Sequence, residues 1–421
     1  MIQNNKEWNR RSFLGAAGLT VIGARLVRGS QANSAVRVGL LGCGGRGTAD
    51  ATSMMVNAGA RVTALGDLFG DQLERAKKHF DELAEKQGVA GIDASQIFRG
   101  PRAFEEIAHS KEVDAVVIAT PPYYHWRHLA AVVDAGKHAY CEKPVAVDVP
   151  GTRRVLEIGA KAEGKVSLEV GFQIRQAPPF VELVKRIHAG ALGEIGFGAA
   201  YYYCPFMQAS HPDVAPAQFR LRNWLFDRVL SGDIIVEQNI HAIDICNWVL
   251  QGHPVKAVGT GGRKGRPDPG DVYGHCSVSF WYPNDVHVNF ASRQFGKGGF
   301  DVNERFFGTR GESQSPYAGP LGITGEENWT WAGSEKKQDG QFSAAGTFSD
   351  NLAEADAEKH KSFIGSITSG ALHNQAAAGV ESSLSAMLGR TAMHTGREVT
   401  WEELMRSKET WDAKLDLEKL G

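Results

Sequence analysis

A glycine-rich turn near the N-terminus, placed between an apolar run and a helical segment, most strongly limits what this chain can form. Residues 36–41 are short and apolar and are predicted to be a buried strand, and residues 42–47 then spell G-x-G-x-x-G. A helical segment follows, and a second short strand over 61–65 ends close to Asp67. This order predicts a β-α-β unit with its glycines at the first turn.

Each of the three glycines of the motif has a different structural role. Gly42 permits the tight turn, Gly44 lets a pyrophosphate approach the backbone, and Gly47 lets helix and strand pack closely. The N–H groups that begin the helix then face the phosphates. Asp67 lies about 20 residues after Gly47, where a carboxylate accepts hydrogen bonds from the adenosine ribose and repels a 2′-phosphate. The segment predicts a dinucleotide site that prefers NAD to NADP. The alternative is a glycine-rich surface turn followed by a capping aspartate.

Length and charge limit the function classes. The chain has 421 residues and a formal net charge of −2, which favours two domains and implies no nucleic-acid partner and no anionic membrane partner. Its five cysteines are widely scattered without a C-x-x-C pair, so neither a metal site nor a disulfide framework is expected.

The first 35 residues have the character of a targeting segment. Arg10 and Arg11 form a twin-arginine pattern, a mild apolar run over 16–24 follows, and small residues over 30–35 offer cleavage points. Arg25 and Arg28 interrupt the apolar run, which excludes a spanning helix of about 20 residues. Residues 1–35 are therefore predicted to be a Tat export signal, and the protein to be periplasmic. The alternative is an amphipathic extension of a protein that stays in the cytosol.

Strands and helices alternate through residues 36–172, which predicts a doubly wound parallel sheet. After Asp67 the predicted elements are a helix over 71–86, a strand over 96–98, a helix over 103–110, strands over 113–119 and 138–141, a helix over 152–163 and a strand over 165–172. Ligands of such sheets bind beyond the carboxyl ends of the strands. The glycine turn, Asp67, residues 120–125 and residues 142–144 all lie at such ends, so they are expected to line one crevice.

Residues 173–345 are predicted to form a second, α+β domain with an open, mostly antiparallel sheet. Its strands are expected over 195–203, 255–260, 273–282, 285–294 and 301–307, with one helix near 240–250 and a long polar loop over 314–346. Residues 346–421 are predicted to be C-terminal helices, near 351–367 and 379–394, that pack back on the nucleotide domain. Thr400 and Glu403 have capping-box spacing at the start of a last short helix.

Five short motifs carry a resemblance to a known family. They are G-C-G-G-R-G at 42–47, T-P-P-x-x-H at 120–125, E-K-P at 142–144, G-F-Q-x-R at 171–175, and N-x-H-x-x-D at 239–244. With them the chain resembles the Gfo/Idh/MocA oxidoreductases, the glucose–fructose oxidoreductase and inositol dehydrogenase group, over about residues 36–404. The twin-arginine leader resembles that of the exported branch, which includes sugar oxidoreductases with tightly held cofactor and NAD-dependent glycosidases.

The resemblance implies which residues bind the cofactor and the substrate. The cofactor residues are Gly42, Gly44, Gly45, Arg46, Gly47, Asp67, Thr120, Pro121, Pro122, His125, Glu142, Lys143 and Gln173. The residues that contact a sugar or glycoside are Lys143, Arg175, Asn239, His241 and Tyr123. A plain loop role for Tyr123 and His125 is equally compatible with the sequence. The resemblance also implies a homodimer or homotetramer.

Lys143, His241 and Glu237 are the candidate catalytic residues. A cation beside an alcohol oxygen stabilises the charge that develops when the proton leaves, and a desolvated lysine can carry that proton. From the residues alone Lys143 is equally well an exposed turn lysine; the resemblance implies the catalytic role. His241 has a suitable pKa for proton transfer, although it is also compatible with a hydrogen-bonded core histidine. Glu237 shares a helix face with His241 if the segment is helical, but it stands where the family has aspartate.

Two further groups are compatible with binding or with packing. Arg220, Arg222 and Trp224 form a polar-aromatic patch that is predicted near the pocket. The run Tyr201 to Tyr203 alternates on a strand, and ordinary sheet packing explains it better than a sugar-binding face does.

The sequence thus predicts an exported NAD(P)-dependent oxidoreductase that acts on a sugar or sugar derivative through hydride transfer. One alternative is a redox-neutral glycosidase, in which transient oxidation at C3 permits elimination and Glu237 is the second base. A non-enzymatic alternative is a nucleotide-bound sensor with a degraded site, against which the intact Lys143 and His241 argue.

The sequence yields one direct test of cofactor preference. Replacement of Asp67 by alanine removes the carboxylate that is predicted to bind the ribose hydroxyls and to repel a 2′-phosphate. We expect Asp67→Ala to weaken NAD binding relative to NADP binding, measured by titrating the two cofactors against the same preparation. An unchanged preference would show that this carboxylate does not contact the ribose.

Overall fold

The structure of the protein is a computed structural model that describes residues 35–211, 213–332 and 350–420. The predicted export signal therefore lies outside the described residues, apart from Ala35 at its end. Part of the predicted loop over 314–346 also lies outside them.

The first sheet is parallel and doubly wound, as predicted. In the described part of the chain its strands are β1 (Arg37–Leu41), β2 (Arg61–Asp67), β3 (Ile97–Arg99), β4 (Ala115–Ile118), β5 (His138–Cys141) and β6 (Leu168–Val170), in the spatial order β3-β2-β1-β4-β5-β6. The helices between them are α1 (Gly45–Ala58), α2 (Gly70–Lys86), α3 (Ala103–His109), α4 (His125–Asp134) and α5 (Val149–Ala162). The strand order reverses between β1 and β4, which is where such sheets bind their ligands.

The glycine turn joins β1 to α1 in the predicted manner. Gly42 has a φ of +93°, a conformation that disfavours a side chain, and its N–H donates to the carbonyl of Gly66 at 2.8 Å. A Cβ on Gly47 would lie 2.2 Å from the carbonyl oxygen of Gly42, so the glycine is what allows α1 to pack against β1. A Cβ on Gly44 would meet no atom within 4 Å, because this residue faces open space at the start of α1.

The second sheet is mostly antiparallel, as predicted. Within the described residues its strands are β7 (Ile195–Cys204), β8 (Lys256–Gly262), β9 (His275–Tyr282), β10 (Val286–Gln294), β11 (Asp301–Gly308), β12 (Gly311–Gln314), β13 (Gly322–Gly325), β14 (Trp329–Thr330) and β15 (Val399–Thr400). Their spatial order is β14-β13-β12-β11-β7-β10-β9-β8-β15, and β7 and β10 form its parallel pair. Alternate residues of β7 and β10 are buried, so one face of the sheet is covered while the other remains open.

Helices cover the inner face of this sheet and connect it to the first. They are α6 (Pro178–His188), α10 (Ile240–Leu250), α11 (Ala355–Ser369), α12 (Ala376–Thr395) and α13 (Trp401–Met405). Helix α12 packs against α10 and β8, while α11 lies against α1 and α12 also touches α5. The hydroxyl of Thr400 accepts a hydrogen bond from the N–H of Glu403 at 3.1 Å, which is the predicted cap of α13. Among the described helices, none combines the length and apolar character that crossing a bilayer requires.

Two predictions about the second domain were wrong. Helix α6 and three short helices, α7 (Pro216–Arg222), α8 (Arg228–Ser231) and α9 (Ile234–Glu237), precede α10, where a single helix was predicted. The side chains of Asp227 and Asp233 cap α8 and α9, and helices this short show no 3.6-residue periodicity. The predicted loop over 314–346 contains β13 and β14, which are too short for an alternating pattern and extend the sheet by pairing beyond β12.

Gly47→Ala tests the close packing of α1 on β1. We expect this change to lower the free energy of unfolding by about 1–3 kcal/mol, because the added methyl group meets a backbone carbonyl that cannot rotate away. Urea unfolding of nucleotide-free protein measures it. Gly44→Ala is the matched control and should leave stability unchanged, since its methyl group enters open space. Equal stability of the two variants would contradict this account.

Candidate active site

The carboxyl ends of β1, β2 and β4 surround a cavity of about 310 Å³. Gly42, Gly44 and Gly45 line it beside Asp67, and Thr120 and Pro121 form its opposite wall. Gly44 begins α1, and the space that its missing side chain leaves open is of the kind that a pyrophosphate at a helix N-terminus requires. The cavity therefore fits the dinucleotide that the glycine motif predicts.

Asp67 lies at the end of β2 with its carboxylate fixed by two backbone groups. It accepts hydrogen bonds from the N–H of Cys43 at 2.7 Å and from the N–H of Phe69 at 2.9 Å, one on each oxygen. Burial raises the pKa of Asp67 despite these bonds. Each oxygen keeps acceptor capacity, so the carboxylate can also accept hydrogen bonds from ribose hydroxyls in the cavity that it lines.

The side chain of Arg46 points into a cluster of buried charges. Its guanidinium lies 2.9 Å from Asp50, 2.9 Å from Asp356 and 3.1 Å from Glu142. Lys359 of α11, which is fully buried, lies 2.9 Å from the same Asp356. The predicted contact of Arg46 with the cofactor stays a prediction. The structure shows that the Arg46 side chain connects the glycine turn to α11 through its ion pair with Asp356.

The same cluster contains a group of potential metal ligands. Atoms of Asp50, Asp356 and His360 come within 4.8 Å of one another. The ammonium of Lys359 lies 3.5 Å from Asp50, however, and the guanidinium of Arg46 contacts both aspartates. Two cations already neutralise these carboxylates, so we assign no metal to them.

Glu142 connects this cluster to the E-K-P turn. The hydroxyl of Tyr140 donates to its carboxylate at 2.8 Å, and the backbone N–H of Lys143 donates at 3.2 Å. Burial alone would raise the pKa of Glu142, but Arg46, Lys359 and Lys143 together hold it well below its ordinary value. A Cβ on Gly171 would lie 2.5 Å from this carboxylate, which explains the glycine at the start of G-F-Q-x-R.

His125 joins two of the loops that surround the cavity. One ring nitrogen lies 2.7 Å from the carbonyl oxygen of Thr120, and the other lies 2.7 Å from that of Pro144. Pro122 begins the turn between them and is buried. Both nitrogens thus have backbone partners, and the histidine holds the T-P-P loop against the E-K-P turn. Direct contact of these residues with the cofactor stays a prediction.

Lys143 and Glu237 form an ion pair where the two sheets meet. The ammonium of Lys143 lies 2.8 Å from the carboxylate of Glu237 and 2.7 Å from its backbone carbonyl oxygen. The side chains are 12% and 10% exposed, so the pair is largely shielded from water. Lys143 is therefore not the exposed turn lysine that the sequence alone also allowed.

His241 lies on the first turn of α10, close to this pair. The segment is not one helix, because α9 ends at Glu237 and α10 begins at Ile240, yet the charge of Lys143 still acts on the imidazole. Burial, reinforced by that charge, lowers the pKa of His241 well below its ordinary value, so the ring is neutral at neutral pH. A neutral imidazole beside a cation can accept the proton of an alcohol.

Unsatisfied polar atoms accompany His241. Among the described residues, its Nδ1 and both amide atoms of Asn239 are buried without a hydrogen-bond partner. Buried polar atoms rarely remain unpaired in folded proteins, and an unpaired one marks a place for a ligand or water. The hydroxyl groups of a polyol would satisfy such atoms.

The other predicted substrate residues make contacts inside the protein. Arg175 pairs with Asp244 through two bonds of 2.8 Å, and Ser382 donates to the same carboxylate at 2.6 Å. The hydroxyl of Tyr123 accepts a hydrogen bond from the N–H of Ala413 at 3.4 Å. Gln173 begins the turn Gln173–Gln176 that carries Arg175. Substrate contacts by Arg175 and Tyr123 and a cofactor contact by Gln173 stay predictions.

Some residues of the site were missed by sequence reasoning. Lys359 and Asp356 gave no signal, because their burial arises only when α11 packs on α1. Arg222 and Trp224 were predicted near the pocket, and both line the cavity that contains Asp67. The sequence signal for them was the mixture of arginine and tryptophan in a short stretch, which does not identify the wall of the cavity that they form.

Comparison with known proteins agrees with this architecture. Residues 36–171 match a family model described as an oxidoreductase family with an NAD-binding Rossmann fold, and residues 180–314 match one described as the GFO/IDH/MocA C-terminal domain. The fold and the family models thus define an NAD-binding α/β protein with a second, C-terminal domain. The chain belongs to the Gfo/Idh/MocA oxidoreductase family.

Several of the similar proteins are named as inositol dehydrogenases. The chain is 33% identical over 227 residues to inositol 2-dehydrogenase 4 of Saccharopolyspora erythraea, covering 54% of this chain and 57% of that protein. It is 27% identical over 339 residues to inositol 2-dehydrogenase of Rhizobium meliloti, covering 80% and 90%. The chain thus spans little more than half of the first relative and most of the second. A solved scyllo-inositol dehydrogenase from Lactobacillus casei with bound NAD(H) and scyllo-inositol shares the fold, with a TM-score of 0.66, 18% identity, and coverage of 87% and 99%.

The buried histidines predict how stability depends on pH. Burial lowers the pKa of His128 to about 3, and that of His241 is also lowered. An unfolded histidine has a pKa of about 6.5, so below that pH the unfolded chain binds more protons than the folded one. We expect the free energy of unfolding to fall by about 1.4 kcal/mol per pH unit for each histidine as the pH drops from about 6.5 to 5.

Urea unfolding at pH 7, 6 and 5 measures this slope. The control is His128→Asn, which removes one of the buried histidines. It should reduce the slope of the unfolding free energy against pH by about 1.4 kcal/mol per pH unit. An unchanged slope in this variant would contradict the assignment of a neutral His128.

Proposed function

We propose that the protein is an exported, NAD-dependent oxidoreductase that transfers a hydride between a tightly held nicotinamide and a secondary alcohol or ketone of a sugar or cyclic polyol. The observation that supports it most directly is the shielded pair of Lys143 and Glu237 beside the neutral His241. This group lies at the carboxyl end of β5, the side of the sheet on which the dinucleotide cavity opens.

Lys143, His241 and Glu237 have different roles in the proposed proton transfer. The nicotinamide, when bound, takes up or returns the hydride of the carbinol carbon. Lys143 places its positive charge beside the alcohol oxygen and stabilises the negative charge that develops there. His241 accepts the hydroxyl proton in the oxidative direction and donates it in the reductive one. Glu237 holds the ammonium of Lys143 in place, and Asn239 offers its unpaired amide to a neighbouring hydroxyl.

The preference for NAD over NADP is proposed from Asp67. Its carboxylate is held by two backbone N–H groups at the end of β2 and lines the cavity, where a 2′-phosphate would meet a negative charge. Export to the periplasm is proposed from Arg10 and Arg11 and the apolar run after them.

A second copy of the chain is proposed to cover the open face of the second sheet. On that face the rings of Tyr201 and Tyr203 stack with centroids 5.0 Å apart, and those of Phe197 and Phe307 stack at 5.8 Å. Phe197 is 38% exposed. A patch of paired aromatic rings on an open sheet is suited to a symmetric contact between two copies. A homodimer or a tetramer built from such dimers follows from it.

A redox-neutral glycosidase is the second candidate, and the position of Glu237 favours it. This mechanism needs a base close to the oxidised carbon, and the carboxylate of Glu237 lies within 2.8 Å of the catalytic lysine candidate. The two candidates differ in their products, since the glycosidase releases an aglycone without a net change in the cofactor.

The first experiment determines whether the purified protein contains a dinucleotide. The protein is denatured without added cofactor and any released NAD(H) is identified, and intact protein is then incubated with free sugars, inositols and aryl glycosides. Bound NAD(H) that cycles with a free sugar or inositol supports the oxidoreductase, and release of aglycone supports the glycosidase. Absence of bound dinucleotide, with none taken up on addition, contradicts both.

Lys143→Met tests the proposed catalytic role. We expect kcat to fall by about 10²–10⁴-fold, because the charge beside the alcohol oxygen is lost, while the dinucleotide remains bound. Lys161→Met is the matched control, since Lys161 also forms a 2.8 Å ion pair, with Asp134, but on an exposed surface. Similar activity of the two variants would show that Lys143 is not catalytic.

A further inference from the structure

We infer that the adenosine end of the dinucleotide cavity is closed by segments from outside the nucleotide-binding domain, with Arg222 as a cofactor-binding residue. We call these segments the roof: helix α7, the turn Trp224–Phe226, and residues 411–420. The inference rests on the proposed function only in that a dinucleotide occupies the cavity, and it states which residues retain that dinucleotide.

The walls of the cavity come from two distant parts of the chain. Asp67 and Phe69 belong to the first sheet's side of the chain, at the end of β2 and just after it. Arg222, Trp224 and Leu417 lie on the opposite side, although they are far away in sequence. The carboxylate that would bind the ribose therefore lines the same cavity as side chains of the roof.

Arg222 is held directly above the segment that follows Asp67. Its guanidinium forms a two-bond pair with Asp71, at 2.8 and 3.1 Å, and lies 3.8 Å from the centre of the Phe69 ring. Its side chain is 10% exposed, and among the described residues its Nε is buried without a partner. A planar guanidinium stacks on aromatic rings and donates to oxygen, so Arg222 suits both the adenine and the ribose of a dinucleotide.

The roof is attached by packing as well as by charge. Phe69, Tyr124, Leu221 and Ala413 are buried in one small apolar cluster, separate from the two larger cores. The tail reaches this cluster through Ala413, whose carbonyl accepts a hydrogen bond from Arg220 at 3.1 Å and whose N–H donates to Tyr123.

Further along the roof, Trp411 lies 4.1 Å from the guanidinium of Arg390 on α12. Leu415, Leu417 and Leu420 pack against the apolar cluster from the tail. For a dinucleotide to dissociate, these tail contacts and the Arg222–Asp71 ion pair would have to break. We therefore expect dissociation to be slow.

Dissociation of NADH from the full chain tests the inference. Protein loaded with NADH is mixed with excess NAD, and the decay of NADH fluorescence gives the rate of release. We expect Arg222→Ala to increase this rate by about tenfold or more, because an ion pair and a stacking contact are lost together. Deletion of residues 414–421, which keeps Trp411 and Ala413, should increase the rate in the same direction.

Two further variants separate charge from stacking and provide a control. Arg222→Lys keeps the charge but not the planar group, and should also release NADH faster than the unmodified chain. Arg305→Ala is the matched control, because Arg305 also lies over a phenylalanine, Phe307, at 5.0 Å and pairs with Glu312 at 3.2 Å, but on the second sheet. It should release NADH at the unmodified rate.

Binding of ADP-ribose separates failure of this inference from failure of the proposed function. ADP-ribose lacks the nicotinamide riboside's ring, so its affinity reports the rest of the dinucleotide site without nicotinamide contacts, and Arg222→Ala should weaken it. If the unmodified chain binds neither NADH nor ADP-ribose, the proposed function fails. If it binds both and Arg222→Ala behaves like Arg305→Ala, the dinucleotide site stands and closure by the roof is overturned. Urea unfolding of each variant verifies folding, and Arg222→Ala alone decides the result if the deletion does not fold.

Discussion

The contact between Arg46 and Glu142 supports both halves of the candidate site. Arg46 lies in the glycine turn that faces the dinucleotide cavity, and Glu142 directly precedes Lys143 in the E-K-P turn. Glu142 and Lys359 are buried, whereas Arg46 and Asp356 are 23% and 17% exposed, and every charge in the cluster has a partner. Removal of one member of such a cluster typically costs about 3–5 kcal/mol, because a charge remains buried without compensation. The glycine turn and the candidate catalytic lysine are therefore stabilised by the same cluster.

Much of the first sheet was predictable, because its strands are short apolar runs bounded by glycines and its helices carry regular polar faces. β4, with four fully buried residues, is an example. In the second domain, the bounds of the buried helix α10 were also predicted in full. The short helices α7 to α9 could not be predicted, since capping by Asp227 and Asp233 and packing against distant segments stabilise them. Strands β13 and β14 depend in the same way on an existing sheet edge.

A residue of the candidate site was predictable where the motif that contains it also determines where it lies in the fold. Lys143 is an example, because the E-K-P turn follows a strand whose end points into the crevice. The pairing of Lys143 with Glu237 was not predictable, since it joins residues 94 positions apart. Lys359 gave no signal at all, because only the packing of α11 on α1 buries it and surrounds it with carboxylates. Arg222 was predicted near the pocket from local composition, but its contacts with Phe69 and Asp71 were not predictable, since they join distant parts of the chain.

The contact of Gly171 with Glu142 determines how variation at that position would be observed. Any side chain at Gly171 would displace the carboxylate, since even a Cβ would lie 2.5 Å from it. Displacement of Glu142 would in turn remove one of the three carboxylates that hold Arg46, and so weaken the support of the glycine turn. A substitution at this strand end would thus be classified by a geneticist as a cofactor-binding mutation. The physical cause would nevertheless be a methyl group at position 171 that overlaps the space already occupied by the carboxylate of Glu142.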